Sequence, residues 1–477
     1  MLPLRWSSSE VKPAHNALAQ GRYALAFALL EGAAQRQPQR RKQAELKLHL
    51  AAVYALHKLE GTAPGLLCLQ QARDLDAGIL SLPLYQSLQL YFNAQQQNSS
   101  LATSLEYISQ AQRIAQANDA ISSFYAAAAL LQMQAQQQAQ TLLQAIDSEA
   151  LPDYLYWRRH ALLGQCYEAA GHYHEAANAY SHAAAHSHGE ERDTEQLKRV
   201  RCLLYVNEAY KSWEILRSFD SCRWQNSALH ALQALLEGQC HMQLGNPSHA
   251  LWPLLRAQSQ QEKLETTDFW RLHHQLARCY SLLGDTTRAE QHYCQARGHA
   301  PAEQQSLLWR EQAALVAEYG RWLEAQQHST AALEALPSHE ELLRGQLLSQ
   351  LAEYERLLGY LDDAQEHALL ALDYEADASA CLCLGRIALA RFAYDEALMH
   401  FEQSLTASQN NDPEQLRARL MLCETLAQQG LQNPERLLYH AHIALSMLPP
   451  DDIWLSILQS YIRQAQEKQC QQQPLYN

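Results

Sequence analysis

Any reaction run by this chain would have to come from its histidines, cysteines and carboxylates, so their spacing comes first. Twenty-two histidines are present. His172, His174, His182, His186 and His188 crowd one short stretch. His182 and His186 stand four apart, which on a helix puts two imidazoles on one face within reach of a single metal ion. No carboxylate or cysteine completes the set at useful spacing, so ordinary surface and interhelical histidines are expected there, and no metal site. His273 and His274 are adjacent and therefore point apart; one is expected to be buried and the other to face a groove. The eleven cysteines are odd in number and irregular in spacing, with no CxxC pair. Most fall inside apolar helical patterns, where a thiol acts as a small hydrophobe, and that usage suits a reducing, cytoplasmic setting. Cys381 and Cys383 are two apart on a helix and point in different directions. No phosphate-binding GxxxxGK[ST] loop, GxSxG elbow, HExxH or DxDxDG segment occurs, and no isolated carboxylate pair sits on an apolar background. Asp362 and Asp363 follow Gly359 closely, as acidic residues do at a helix N-terminus. The expectation is a non-enzyme without catalytic residues or cofactor.

The elements that carry these residues follow from composition. At about 150 residues per domain, 477 residues imply about three globular units or one long repeat array. The chain is 47% hydrophobic and 18% charged, with 17 Gly and 15 Pro. That excludes wholesale disorder and leaves little material for the tight turns of an all-β fold. Ala, Leu, Gln and Glu dominate, and they favour helix because they lose little rotamer freedom in it. The net charge of −14, from 51 acidic and 37 basic residues, argues against nucleic acid as a partner. The most basic stretch, Arg36 to Lys47, has no aromatic residue for stacking on bases and reads as a solvated helix start. Met1 to Lys12 has no apolar signal core, and nowhere do 18 apolar residues run together. Neither secretion nor membrane insertion is expected.

The chain is internally repetitive. Gly followed five residues later by Ala recurs at Gly21/Ala26, Gly171/Ala176, Gly245/Ala250, Gly284/Ala289, Gly320/Ala325 and Gly359/Ala364. From Gly171 the steps are 74, 39, 36 and 39 residues, the first being two units of 37. Each unit reads as two helices. In Trp270 to Pro301, Leu276, Ala277 and Tyr280 share one face. Gly284 stops the first helix in a left-handed cap, and Asp285 or Thr286 caps the second. Ala289, Tyr293 and Ala296 then lie at i, i+4, i+7, and Pro301 ends the unit. Small alanines let the two helices approach, and the tyrosine fills the gap between them.

These residues resemble the tetratricopeptide repeat, a unit of about 34 residues with a W-x2-L-G-x2-Y, then G, A, F/Y, A, P signature. Leu163, Gly164, Tyr167, Gly171, Ala176, Tyr180 and Ala183 match it, as do Gly238, Gly245, Ala250, Leu254 and Ala257. Trp309, Gly320, Ala325, Ala332 and Pro337 follow, then Leu351, Ala352, Gly359, Ala364, Ala368 and Ala371. Leu384, Gly385, Ala397, Phe401 and Leu405 match with Phe392 where Gly would sit. Ala17, Gly21, Ala26, Leu30, Ala33 and Pro38 form an N-terminal unit. Weaker units fall near 46–75, 83–117, 120–150, 193–228 and 415–449, the last with a short insertion near Leu431 to Pro434. Longer HEAT and armadillo units lack this residue order, and pentatricopeptide arrays are normally basic. His186 to Gln196, Asn93 to Ser100 and Ser408 to Glu414 read as polar loops. Gln132 to Gln140 reads as an exposed helix face, Ile453 to Glu467 as a closing helix and Gln464 to Gln473 as a frayed tail.

The resemblance implies an all-α, right-handed α-solenoid of stacked antiparallel helix pairs. Three segments are expected: degenerate N-terminal repeats over 1–150, the main array over 151–449, and a cap with a polar tail over 450–477. It also implies a non-catalytic scaffold or adaptor that holds a partner peptide or helix in the groove lined by the first helix of each pair, as an assembly factor or subunit of a larger complex. A ligand-responsive regulator is the alternative, although no effector domain accompanies the repeats. The repeat register places Arg158, Gln165, Gln239, Arg271, His274, Arg278, Arg310, Arg356 and Arg386 on the groove. The arginines could fork onto an acidic partner segment. Alternatively, each pairs with a carboxylate of the solenoid itself. The Lys and Asn set of the chaperone-binding tetratricopeptide clamp is missing from consecutive units.

Overall fold

The computed structural model describes residues 11–56, 62–96, 101–117, 119–220, 222, 224–374, 377–408, 413–449 and 451–472. The expectations for residues 1–10, 97–100, 409–412 and 473 lie outside them. Among the described residues there are 25 α-helices and no strand, and the chain divides into two compact units, Met1–Leu264 and Glu265–Asn477.

The first unit holds seven helix hairpins: α1 (Lys12–Ala19) with α2 (Tyr23–Arg36), α3 (Arg40–Leu56) with α4 (Ala63–Leu75), α5 (Pro83–Gln96) with α6 (Leu101–Ala115), α7 (Ala120–Gln132) with α8 (Gln136–Ala145), α9 (Asp153–Ala169) with α10 (Tyr173–His186), α11 (Gly189–Tyr205) with α12 (Ala209–Arg217), and α13 (Ser227–Gln243) with α14 (Pro247–Gln258). The second holds five more: α15 (Thr266–Leu282) with α16 (Thr286–His299), α17 (Ala302–Glu318) with α18 (Trp322–Glu334), α19 (Glu341–Leu358) with α20 (Leu361–Leu372), α21 (Asp377–Ala390) with α22 (Tyr394–Ala407), and α23 (Pro413–Gln428) with α24 (Pro434–Met447). A single helix, α25 (Trp454–Gln472), closes it. Each unit is an α-solenoid of antiparallel pairs.

One turn joins most of the pairs. A residue with positive φ ends the first helix, its N–H donates to the carbonyl three back, and the next N–H donates to the carbonyl five back. This is the Schellman arrangement, which satisfies two orphan carbonyls. At Gly284 the bonds are Gly284 N–H to Ser281 O at 3.0 Å and Asp285 N–H to Tyr280 O at 2.9 Å. The same pair of bonds recurs at Gln134, Asn207 and Phe392, whose φ values are 59°, 59° and 61°. These three stand where the other repeats have glycine, and Gln134 and Asn207 belong to repeats whose sequence signal is blurred. An L-residue in this region costs about 1–2 kcal/mol because its Cβ crowds a carbonyl; Asn tolerates it best. At Gly430 the turn is two residues longer, and Leu431 also takes a positive φ, of 56°. That is the insertion expected near Leu431 to Pro434.

A small-for-large exchange between paired helices closes the α9–α10, α13–α14 and α21–α22 hairpins. A Cβ on Gly164 would lie 2.6 Å from the Tyr180 ring, and one on Gly385 would lie 2.5 Å from Phe401. Tyr180, Phe401, Ala176 and Ala397 are fully buried. The degenerate pairs keep small buried residues without glycine: Ala127, Ala139 and Ser212 are fully buried, and Leu143 and Leu216 are buried too.

Three expectations about loops and ends change. His186 to Gln196 is mostly helix, the first turns of α11. Its inward positions are charged instead of apolar, which hides the helical period. Asp193 accepts from the Trp224 indole N–H at 2.8 Å, and Glu195 pairs with Lys198 at 2.8 Å. Gln132 to Gln140 contains the α7–α8 turn before its exposed face begins. The helix proposed to close the array continues to Gln472 where a frayed tail is expected, with Leu458 and Ala465 buried on one side.

The first unit closes on itself. Every residue from Ile121 to Leu130 in α7 is buried. Tyr125 and Tyr91 donate their hydroxyls to the Ala52 and Ala55 carbonyls of α3, both at 3.0 Å. His15 of α1 lies against Tyr154 of α9, with ring centroids 5.1 Å apart.

Two outcomes follow from this interior. Phe392→Gly should raise stability by about 1 kcal/mol and Gly359→Phe lower it by as much, measured by urea denaturation. Burial pushes His49 down to about 3 and His15, His273 and His440 down to about 4. These imidazoles stay neutral when folded but take up protons below about pH 6.5 when unfolded. Stability should therefore fall as pH drops from about 6.5 towards 4, by up to roughly 1.4 kcal/mol per pH unit for each histidine. His49→Leu should make denaturation midpoints measured across that range less steep.

Candidate functional site

The first helices of the second unit, α19, α21 and α23, pack side by side and line an open trough of about 660 Å³. Its wall includes Gln346, Gln350, Glu353, Tyr354, Arg386 and Arg417. Gln346, Gln350 and Glu353 stand at i, i+4, i+7 and so form one stripe along α19. Glu353 anchors the site. It accepts a two-point bond from Arg356, both contacts at 2.9 Å, and a third from Arg386 at 2.8 Å. One carboxylate thus orients two guanidiniums, which leaves that group one excess positive charge, while Glu414 places a second carboxylate on the trough wall. Arg417 is exposed at the α23 side. Cys383 also lines the trough, but burial and then the Glu353 charge push its thiol up to about 12, so it is no thiolate nucleophile near neutrality.

The remaining groove residues lie elsewhere. Arg271 bonds Asp268 at 3.0 Å. His274 meets Glu311 at 2.6 Å, and Arg278 lies 4.0 Å from the same carboxylate. Burial pushes Glu311 up, but the His274 hydrogen bond and the His274 and Arg278 charges outweigh it and hold the carboxyl below its usual range. Both His273 and His274 are buried, where one was expected to face the groove. They still point apart, His273 sharing a hydrogen bond with His292 at 2.9 Å. Arg310 is half-buried on α17.

In the first unit Arg158 is buried, bonded to the Tyr154 carbonyl at 2.5 Å, to Glu191 at 2.8 Å and to the Tyr23 hydroxyl. Gln165 and Arg158 edge a small cavity of about 190 Å³ walled by Tyr91, Phe124, Tyr125 and Trp157. Gln239 is half-buried on α13. Five of the six groove arginines therefore rest on carboxylates of their own unit, and Arg356 and Arg386 are brought to one point. The register reading missed Gln346, Gln350, Tyr354 and Arg417. A polar stripe at helical spacing on the first helix of a pair was the available signal. Among the described residues no three His, Cys, Asp or Glu side chains are arranged to hold a metal ion. His182 sits against His160 and His186 against Tyr156. No described helix is long and apolar enough to cross a membrane.

Paired helices with small-for-large exchange, a left-handed turn at most of the described junctions and an inner face of first helices define an all-α repeat protein. The fold is that of the tetratricopeptide repeat. Among solved structures the chain is similar to the apo form of RapI, at 11% identity and a TM-score of 0.50, over 66% of this chain and 98% of that one. It is also similar to the APC/C hetero-tetramer Cut9–Hcn1, at 14% identity and a TM-score of 0.42, over 96% and 97% of the two chains. A third is a tetratricopeptide repeat protein from Parabacteroides merdae ATCC 43184, at 15% identity and a TM-score of 0.43, over 57% and 98%. No protein-family profile matches the sequence. No curated protein matches it.

Glu353→Ala should strand two part-buried guanidiniums and destabilise the second unit by roughly 1–3 kcal/mol. Glu353→Gln, which keeps an acceptor, should cost less, and paired urea titrations of the two variants check the order.

Proposed function

We propose that this chain is a non-catalytic protein-interaction scaffold whose second unit receives a partner segment in the α19–α21–α23 trough. The observation that carries the reading is the trough itself, an open channel whose wall sets amide, carboxylate and guanidinium groups among apolar ones over three successive first helices. Such a wall offers donors and acceptors to an extended main chain or a helix, and the neighbouring hairpins hold it in shape. The Arg356–Glu353–Arg386 group keeps one excess positive charge, and Arg417 on α23 offsets Glu414 beside it, which favours a segment bearing carboxylates. The step from fold to scaffold is by analogy with repeat arrays in general. A role as an assembly factor or subunit of a larger complex fits it, in a cytoplasmic setting that suits a chain burying most of its eleven cysteines as small hydrophobes.

The test is purification of the tagged full chain from its native host. A stoichiometric protein partner should be recovered with the unaltered chain. Recovery should fall roughly tenfold with Arg386→Glu plus Arg417→Glu, or with Gln346→Trp, which fills the channel from an exposed position. Equal recovery with the filled channel would remove the proposal.

A further inference from the structure

A second surface of the same unit has nothing to do with the trough. In a stack of hairpins the turns that join paired helices fall along one edge, and contacts in the second unit show them stacked. Arg391 before the α21–α22 turn pairs with Asp362 after the α19–α20 turn at 2.6 Å. Gln429 before the next turn donates to Asp395 at 2.8 Å.

This edge is apolar where a solvated turn would be polar. Leu282, Tyr319, Leu323, Leu357, Tyr360 and Phe392 flank or occupy four consecutive turns, and Leu282 and Phe392 are 64% and 74% exposed. Phe392 is the telling residue. It holds the positive-φ position that glycine holds at Gly284, Gly320, Gly359 and Gly430, so the backbone gains nothing from a side chain there. Its ring meets the edge of Tyr394 at 6.5 Å and otherwise faces water, so the core gains nothing either. An open hollow of about 590 Å³ adjoins it, lined by Tyr394, Asp395, Glu396 and three glutamines.

The charge on the edge says what would cover it. The four turns, from two residues before the positive-φ residue to four after, hold seven carboxylates and three arginines. All three arginines are paired: Arg288 with Asp285, Arg321 with Glu290 and Glu324, and Arg391 with Asp362. Glu318, Asp363, Asp395 and Glu396 are exposed. An apolar line flanked by uncompensated negative charge complements an apolar line flanked by lysine or arginine. The spacing fits a helix. Neighbouring helices pack at about 8–10 Å, so successive turns advance by about that step. Seven residues of α-helix rise about 10.5 Å, and about 20 residues span roughly 30 Å, the length of four turns.

We propose that the turn edge of the second unit docks a basic amphipathic helix of a partner protein, with one apolar residue per heptad seated at each turn and Phe392 as the anchor.

The probe is a fluorescein-labelled synthetic helix of about 28 residues, built from Leu-Ala-Lys-Leu-Ala-Lys-Lys heptads, one for each turn, and titrated with the full chain by anisotropy. Saturable binding is expected. It should weaken roughly tenfold in Phe392→Gly and further with Tyr360→Ser added, while the first of these variants unfolds at higher urea than the unaltered chain. A structural role for Phe392 could not produce weaker binding together with a more stable fold. A peptide with glutamate in place of lysine should not bind. Unchanged affinity in the double variant, or equal binding of the glutamate peptide, would overturn the proposal. So would self-association of the chain in sedimentation that Phe392→Gly abolishes, which would assign the edge to a second copy.

Discussion

The close approach of two antiparallel helices within each repeat is the constraint on which everything else rests. It needs a residue with little or no side chain on the first helix, a bulky one opposite it on the second, and a turn tight enough to return the chain at once. Gly164 beneath Tyr180 and Gly385 beneath Phe401 show the tightest form. Once a pair has closed, its outer faces are still apolar, and only the next pair can cover them. Stacking, the inner face of first helices and the edge of turns all follow from that single geometric requirement.

Stacking also determines where polar groups go. Carboxylates on one first helix meet arginines on the next, as Glu168 meets Arg201 at 2.7 Å in the first unit and Glu353 meets Arg386 in the second. Each such pair is separated by 33 residues, one repeat. The inner arginines are therefore register devices as well as candidate ligand groups. In the trough the two uses coincide, because Glu353 holds Arg386 in place and leaves charge to spare.

Helix pairs with strong glycine and alanine spacing were readable directly from the sequence, and Phe392 was recognised as standing at a glycine position. The degenerate pairs were blurred because Gln134 and Asn207 adopt the left-handed turn without being glycine, while the buried Ala139 and Ser212 keep their places. A pattern requiring any small residue five positions after the turn finds them. The first turns of the helix at 189–205 were read as loop for a different reason: their buried positions are Asp193 and Glu195, and apolar burial begins only at Leu197. The site was legible only in part. Register placed Arg356 and Arg386 on the first helices, but which arginines converge depends on a shared carboxylate one repeat away. The inward burial of Arg158 depends on contact with Tyr23, which no local pattern encodes.

That last contact changes how the first unit comes together. In a simple array each repeat touches only its neighbours, so the chain can zip from any point and fray from either end. Here Tyr23 bonds Arg158 and Glu191 across 135 and 168 residues of chain. Ring closure of that length adds an entropic barrier before its reward is collected, which slows assembly. It also ties the first hairpin to the fifth and sixth. The N-terminal end is thereby guarded against stepwise peeling, and this half of the molecule melts as a block while an open stack would unravel hairpin by hairpin.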